Sequence, residues 1–386
     1  MVATAVANPD RVVHSASASG PAVFHDARGS ARAAGHDTTT KLNIARGLAR
    51  LIGVELALDS DARTVMAPSL VVPSDTITSL AEARRLGIGD ASQLFGGVVP
   101  QAYIATKVIS HPLLHAGAAA PPGWCAAFGE RVRDVVLAGW TAFSLADAQR
   151  AGEALLAGGA VRVKSPSGVG GAGQHVVRDA ASLRACLDGI GAEAIAEEGI
   201  VLERNLAQVI THSVGQVQVG SHVASYVGTQ RLVCNHHGHE VYGGSDLQVV
   251  RGGFDALAAQ PFAAAQRRAI AQALAFHRAA LDCFGGMLAT RSNYDVAEGV
   301  DEAGTLCMGV LEQSWRIGGA SGAELLALQA FADDPALDRV RASTHEVYGE
   351  STALPAGAFV SFDGMDDAGT GRLLKYAVVA RDDRLA

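Results

Sequence analysis

The stretch VKSPSGVGGAGQ (Val163–Gln174) contains GVGGAG, a literal match to the G-x-G-x-x-G dinucleotide fingerprint. In a dinucleotide-binding unit the third glycine opens a helix whose N-terminus faces the pyrophosphate. Here Gly173 runs into QHVVRD, which is β-branched and strand-like, and helical spacing resumes only near Ala181. No strand ending in an acidic ribose ligand follows about twenty residues on, and Asp188 falls at a helix C-terminus. No Gly-Lys-Ser/Thr closes the stretch, so a Walker A loop fails as well. What remains is strand, glycine-rich turn, strand. Such a hairpin tip can close over phosphates and offer them backbone N–H groups, or can be a flexible surface hairpin with a solvated lysine. Lys164 lies on the incoming strand and needs a partner if it points inward.

The basic residues are unevenly chosen. Of 31 Lys and Arg, four are lysine: Lys41, Lys107, Lys164 and Lys375. A chain so biased toward arginine keeps lysine where a compact ammonium on a flexible stem is needed. Far downstream, Asp295 ends an apparent strand (SNYDV) and Glu312 ends its partner (GVLEQSWR). Two carboxylates at the ends of adjacent strands can share a divalent cation, and Mg²⁺ takes oxygen ligands while keeping phosphate oxygens in its shell. The same pattern also describes an ordinary pair of surface acids. Ser314 and Arg316 follow at alternate positions, on the strand face of Glu312.

Together these pieces resemble the ATP-grasp superfamily over roughly residues 100–325, most closely an uncharacterised bacterial group within it. The resemblance implies an α+β ATP-grasp fold, in which two α/β subdomains sandwich ATP after a small N-terminal α/β domain. It matches Lys107 (ATKVI) and Lys164 (VRVKSPSGVGGAG) to the two phosphate-neutralising lysines, Lys164 also counting as catalytic. Ser165, Gly168, Gly170, Gly171 and Gly173 become the flap over the nucleotide. Glu203 (IVLERNL) matches the hinge that holds adenine and ribose, with Leu206 beside it. Asp295, Glu312 and Ser314 match the Mg²⁺ ligands, and Arg316 the catalytic arginine. One departure stands out: the Glu-x-Asn-x-Arg pattern reads Glu312-Gln-Ser-Trp-Arg316, and a serine hydroxyl reaches less far than an asparagine.

The implied activity is an ATP-dependent carboxylate–amine ligase: a carboxylate becomes an acyl phosphate, and an amine or similar nucleophile displaces the phosphate. The alternative is an ATP-grasp phosphotransferase or nucleotide-binding regulator, which Ser314 favours. A third reading is an unrelated binding protein whose hairpin and acid pair coincide by chance. ATP and Mg²⁺ are the expected cofactors. For substrate, the polar, glycine-bearing segments Tyr226-VGTQ and Tyr242-GGSDLQVVRGG make Arg251 the first choice for a carboxylate clamp, with Ser245 and Tyr226 beside it, and a solvated edge arginine is the alternative. His236, His237 and His239 (CNHHGH) could bind metal or contact substrate, or form a hairpin turn, since Asn235 and Gly238 are turn residues.

The remaining chain is consistent with a globular enzyme. Of its 386 residues 49% are hydrophobic and 18% charged, enough for two or three domains. A net charge of −8 without a Lys/Arg-rich block argues against a nucleic-acid surface. The apolar run from Ala269 to Ala289 is broken by His277, Arg278 and Asp282, so no membrane partner is expected. Five scattered cysteines without CxxC spacing, and no evident signal peptide, fit reduced thiols in the cytoplasm. The expected domains are an N-terminal arm (1–40), an N-terminal α/β domain (41–100), a central subdomain with the flap (101–198) and a C-terminal subdomain with the metal site (199–386). A homodimer is left open.

Overall fold

Local chemistry marks most element boundaries. Ser144 and Asp179 start helices by accepting from the backbone N–H of Asp147 and Ser182, a side-chain cap that satisfies orphan donors of the first turn. The computed structural model describes residues 20–27, 35–58, 69–166, 168, 173–349, 353–367 and 369–380. Among them it contains nine α-helices and seventeen strands.

The N-terminal unit is a parallel sheet of β1 (Ala22–His25), β2 (Leu56–Leu58) and β3 (Leu70–Pro73), in the order β2-β1-β3. Helix α1 (His36–Leu51) connects β1 to β2, and α2 (Leu80–Arg85) follows β3. Part of the presumed arm, residues 22–25, is the middle strand of this sheet. Helix α1 is preceded by Gly35 without a side-chain cap.

The chain then passes through β4 (Gly97–Val98) and α3 (Ala126–Val132) into a four-stranded antiparallel sheet. Its strands are β5 (Gly139–Ala142), β6 (Val161–Lys164), β7 (Gln174–Val177) and β8 (Ile200–Arg204), ordered β5-β8-β6-β7. Helices α4 (Leu145–Leu156), α5 (Ala180–Ile190) and α6 (Ala192–Glu198) belong to this unit. Because β8 lies inside it, the boundary expected after residue 198 falls after Arg204.

The third unit is an eight-stranded sheet ordered β14-β13-β9-β10-β11-β15-β17-β16. It comprises β9 (Ala207–Val219), β10 (His222–Cys234), β11 (Glu240–Arg251), β13 (Arg291–Val300), β14 (Leu306–Ser314), β15 (Arg339–Tyr348), β16 (Phe359–Met365) and β17 (Arg372–Ala380). Helices α7 (Phe254–Ala258) and α8 (Ala264–Cys283) precede the short β12 (Leu288–Ala289), which pairs with β4. Strand alternation splits the sheet faces: Val214, Val227, Tyr294, Val296 and Val310 join the core with α8. Val217, Ala224, Tyr226, Leu247 and Val249 pack toward α1 and α9 (Ser321–Asp333). No helix among the described residues is long and apolar enough to cross a membrane.

Candidate active site

The opening stretch is a hairpin, as β6 and β7 pair antiparallel through Lys164↔Gln174. Ser165 N–H donates to Gly173 O (2.9 Å), and Gly173 supplies the positive φ of +69° that closes the turn. Gly170 and Gly171 lie outside the described residues; Gly168 lies within them.

Lys164 points inward and has its partner. Its Nζ lies 2.5 Å from Glu203 Oε1 on the neighbouring β8, and Glu203 Oε2 lies 3.2 Å from His111 Nε2. The three side chains are 3%, 1% and 0% exposed. Burial alone would raise the Glu203 pKa, but the Lys164 charge and the His111 bond outweigh it and hold it at about 2. Glu203 is thus the buried counter-ion of Lys164, with both oxygens engaged, where a contact to adenine and ribose was expected. Leu206, just beyond β8, is buried with Leu137 and Ala297.

Lys107 joins the hairpin to the large sheet. Its Nζ donates to Gly168 O (2.7 Å) and lies 2.7 Å from Glu312 Oε2 on β14. The loop carrying it is fixed because Gln313 Nε2 donates to Ile104 O (3.1 Å) and Thr106 O (2.8 Å). Glu312 stands opposite Asp295 in the β13–β14 ladder, at a bulge following Asp295. Asp295 Oδ1 accepts from Asn293 Nδ2 (2.8 Å), with Ser213 Oγ at 3.4 Å. Burial and the neighbouring Glu312 charge push the Asp295 carboxyl up to about 6, against these hydrogen bonds.

Ser314 lies two residues further along β14, and its hydroxyl and carbonyl oxygens both accept from Arg291 Nη1 (3.2 Å each). Arg291 is buried against Glu324 (Nη2–Oε1 2.8 Å), which also accepts from the Tyr226 hydroxyl (2.6 Å). Tyr226 Oη lies 2.9 Å from Asn293 Oδ1, completing a buried network from Arg291 to Asp295. Tyr226 therefore braces the carboxylate pair from below and is fully buried. Arg291, Asn293 and Glu324 escaped the sequence reading, as did His111. A signal for the first two was present: in RSNYD, Arg291, Asn293 and Asp295 alternate and share one strand face. Glu324 is a lone charge in the apolar run GAELLALQAFA.

The expected substrate residues Arg251 and Ser245 are engaged elsewhere. Arg251 donates to the carbonyls of Phe331, Asp334 and Leu337 (2.8–2.9 Å) and stacks over Phe331, so it caps the C-terminus of α9 instead of clamping a substrate. Ser245 is buried against the Tyr242 hydroxyl (2.7 Å). Arg316 extends from the end of β14 to the N-terminal unit, with Nε 3.5 Å from Asp75 Oδ1. The histidine cluster is the β10–β11 turn, in which Asn235 Oδ1 accepts from the backbone N–H of His237 and His239 (3.0 Å each).

Residues 23–377 match the model of a family described as a protein of unknown function, DUF3182. The chain belongs to that family. A comparison with curated protein sequences found no match. Among solved structures, an N5-carboxyaminoimidazole synthetase from Staphylococcus aureus complexed with ADP is similar, with a TM-score of 0.52 and 11% identity over 94% of each chain. Biotin carboxylase from Campylobacter jejuni, in a β,γ-ATP complex, gives a TM-score of 0.50 and 11% identity over 94% of this chain and 87% of that one. The fold is ATP-grasp, with the small parallel sheet preceding the two larger units.

Proposed function

We propose that this chain is an ATP-dependent ligase that activates a carboxylate for attack by an amine or similar nucleophile. The observation that carries the reading is Lys107, whose ammonium meets both the Gly168 carbonyl of the hairpin and Glu312 beside Asp295. These contacts link a glycine hairpin, two buried lysines and a carboxylate pair, the groups that phosphoryl transfer uses for positioning and charge neutralisation. The similar structures include one complexed with ADP and one in a β,γ-ATP complex, which supports nucleotide as the ligand.

The carboxylate pair fits Mg²⁺. Asp295, whose carboxyl is pushed up to about 6 by burial and by the neighbouring Glu312 charge, gains from a cation shared with Glu312. Among the described residues no third His, Cys, Asp or Glu completes a cluster there, which suits an ion that takes its remaining ligands from phosphate and water. Asp295 and Glu312 would hold the ion, and it would offset charge on the phosphate oxygens. Lys107 and Lys164 would neutralise the phosphates, Ser165, Gly168 and Gly173 with the rest of the hairpin would exclude water, and Arg316 would stabilise the transferring group. Losing one such group costs about 10²–10³ in rate.

A second reading, a phosphotransferase or nucleotide-binding regulator, draws on Ser314, whose hydroxyl is already engaged by Arg291. Thermal-shift titration with Mg-ATP tests the shared premise: no stabilisation at saturating nucleotide sinks both readings. ADP release that requires an added carboxylate and amine favours the ligase over the second.

A further inference from the structure

Two ion pairs around the site are dry at both ends. Lys164 and Glu203 are 3% and 1% exposed, and Arg291 and Glu324 are 1% and 0%. The third pair is different. Lys107 is 5% exposed, but its partner Glu312 is 36% exposed. A pair that is dry at both ends is a fixed part of the packing, because removing either charge leaves the other buried alone. In the Lys107–Glu312 pair the ammonium is buried and the carboxylate stays open, so water and small ions have access to the Glu312 side chain.

The charges are also unevenly matched. Asp295 stands opposite Glu312 in the β13–β14 ladder and is met by Asn293 and Ser213, both neutral. Among the described residues Lys107 is the one ion-pair partner of Glu312, and Asp295 has none. One ammonium therefore stands against two carboxylates, which keeps the group attractive to a further cation.

The backbone of Lys107 is held from the same strand. Gln313, next to Glu312, donates to the carbonyls of Ile104 and Thr106, and Thr106 Oγ1 accepts from Val108 N–H (3.4 Å). With the backbone anchored, the flexible four-carbon stem is the part that can turn. Its ammonium has three donors and places two of them, on Glu312 Oε2 and on Gly168 O (2.7 Å each). The carbonyl of the hairpin and the open carboxylate thus share one cation.

We propose that Lys107 is the resident cation of the Asp295–Glu312 pair in the nucleotide-free chain, so that a divalent ion binds there weakly until nucleotide phosphates draw the ammonium away. With the ammonium in place, an arriving ion meets a like charge across a single carboxylate, and the repulsion opposes its binding. A phosphate chain offers the ammonium oxygens of its own and supplies the ion with further oxygen ligands. Linkage makes the coupling reciprocal: the ion loosens the hold of Lys107 on Glu312, and nucleotide tightens the ion. The inference rests on the nucleotide-binding part of the ligase reading and names how that site is regulated.

The test reads Lys107 directly in the full chain. The sequence has four lysines, so amine labelling followed by peptide mass spectrometry resolves each of them. Mn²⁺ is the probe, since it shares the preference of Mg²⁺ for oxygen ligands. Without nucleotide, Mn²⁺ is expected to raise the labelling rate of Lys107 about 5-fold or more, while Lys164, paired with Glu203, keeps its rate as the internal reference. Calorimetry is expected to show Mn²⁺ binding Lys107→Met about 10-fold or more tightly than wild type. Glu312→Gln should unmask Lys107 to labelling with no metal present; Glu312 is half-exposed, so this variant remains informative if Lys107→Met fails to fold. The proposal is overturned if Mn²⁺ binds wild type yet leaves Lys107 labelling unchanged, if Lys107→Met binds Mn²⁺ no more tightly, or if Glu312→Gln leaves Lys107 masked. Any of these results alongside a retained Mg-ATP thermal shift leaves the nucleotide reading standing. Absence of that shift in wild type overturns the nucleotide reading and the proposal with it.

Discussion

Replacing Glu203 with glutamine removes a charge and almost no volume from the Lys164–Glu203–His111 cluster. The ammonium of Lys164 is then left 3% exposed without a counter-charge. Two routes give the size of the effect. The Lys164 charge and the His111 bond hold Glu203 at about 2 in the folded chain against an ordinary 4.5, which at about 1.36 kcal/mol per tenfold change in proton affinity is about 3 kcal/mol. Breaking a buried pair by removing one partner costs about 3–5 kcal/mol, which agrees. The sign follows from linkage: a carboxyl with a depressed folded pKa stabilises above its unfolded value and loses that contribution as pH falls through the folded one. Wild type and Glu203→Gln should therefore differ by about 3 kcal/mol at pH 7. The gap should hold above pH 4.5 and narrow progressively from there toward about 2. Urea unfolding followed by tryptophan fluorescence reads this sheet, since Trp140 on β5 pairs with Leu202 beside Glu203. The double variant Glu203→Gln/Lys164→Met removes both charges and should recover most of the loss. A single variant within about 0.5 kcal/mol of wild type at pH 7, or a double variant no more stable than the single, refutes the account of this cluster.

Three further outcomes follow from the same geometry. Asp295 is pushed up to about 6, so Mg²⁺-dependent stabilisation by nucleotide should weaken as pH falls below that value, because the ion must displace a proton; a flat profile between pH 5 and 7.5 contradicts this. Gly97→Ala forces a Cβ against Trp315 Cβ at 2.4 Å and should cost about 1–3 kcal/mol in urea unfolding, with unchanged stability as the opposing result. Arg251→Ala removes the cap of α9 and should destabilise by about 1–2 kcal/mol while leaving the Mg-ATP thermal shift intact; selective loss of substrate response would restore its role as a clamp.

The parts of the site carried by local pattern were legible in the sequence. Strand spacing around SNYDV and LEQSW paired Asp295 with Glu312, and the β-branched run after Gly173 revealed the hairpin. Parts that depend on contacts between distant segments were not. Glu203 has a polar terminal position on an apolar strand whichever ligand it meets; that Lys164 and His111 occupy it depends on the β6–β8 register and on a loop ninety-two residues earlier. Arg251 carries two donor edges suited to a carboxylate, and a helix C-terminus offers carbonyls to the same edges, so residue type alone could not separate the roles.

Lysine scarcity proved to be a signal of a different kind, since it marks positions without stating partners. Each of the four lysines meets a carboxylate: Lys41 with Asp37, Lys107 with Glu312, Lys164 with Glu203 and Lys375 with Glu346. Three of the ammonium groups are almost fully buried and one is nearly so. A guanidinium, broader and planar, would fit none of the three tight single-oxygen contacts at 2.5–2.8 Å without opening the packing around it. Lys107 and Lys164 are the two that meet the hairpin and its neighbouring strand, whereas Lys41 belongs to α1 of the N-terminal unit. The small parallel sheet is packed onto the large one, with Gly97 against Trp315 and Gly47 of α1 against Leu325 of α9, so it is an integral part of the fold and more than a preceding domain.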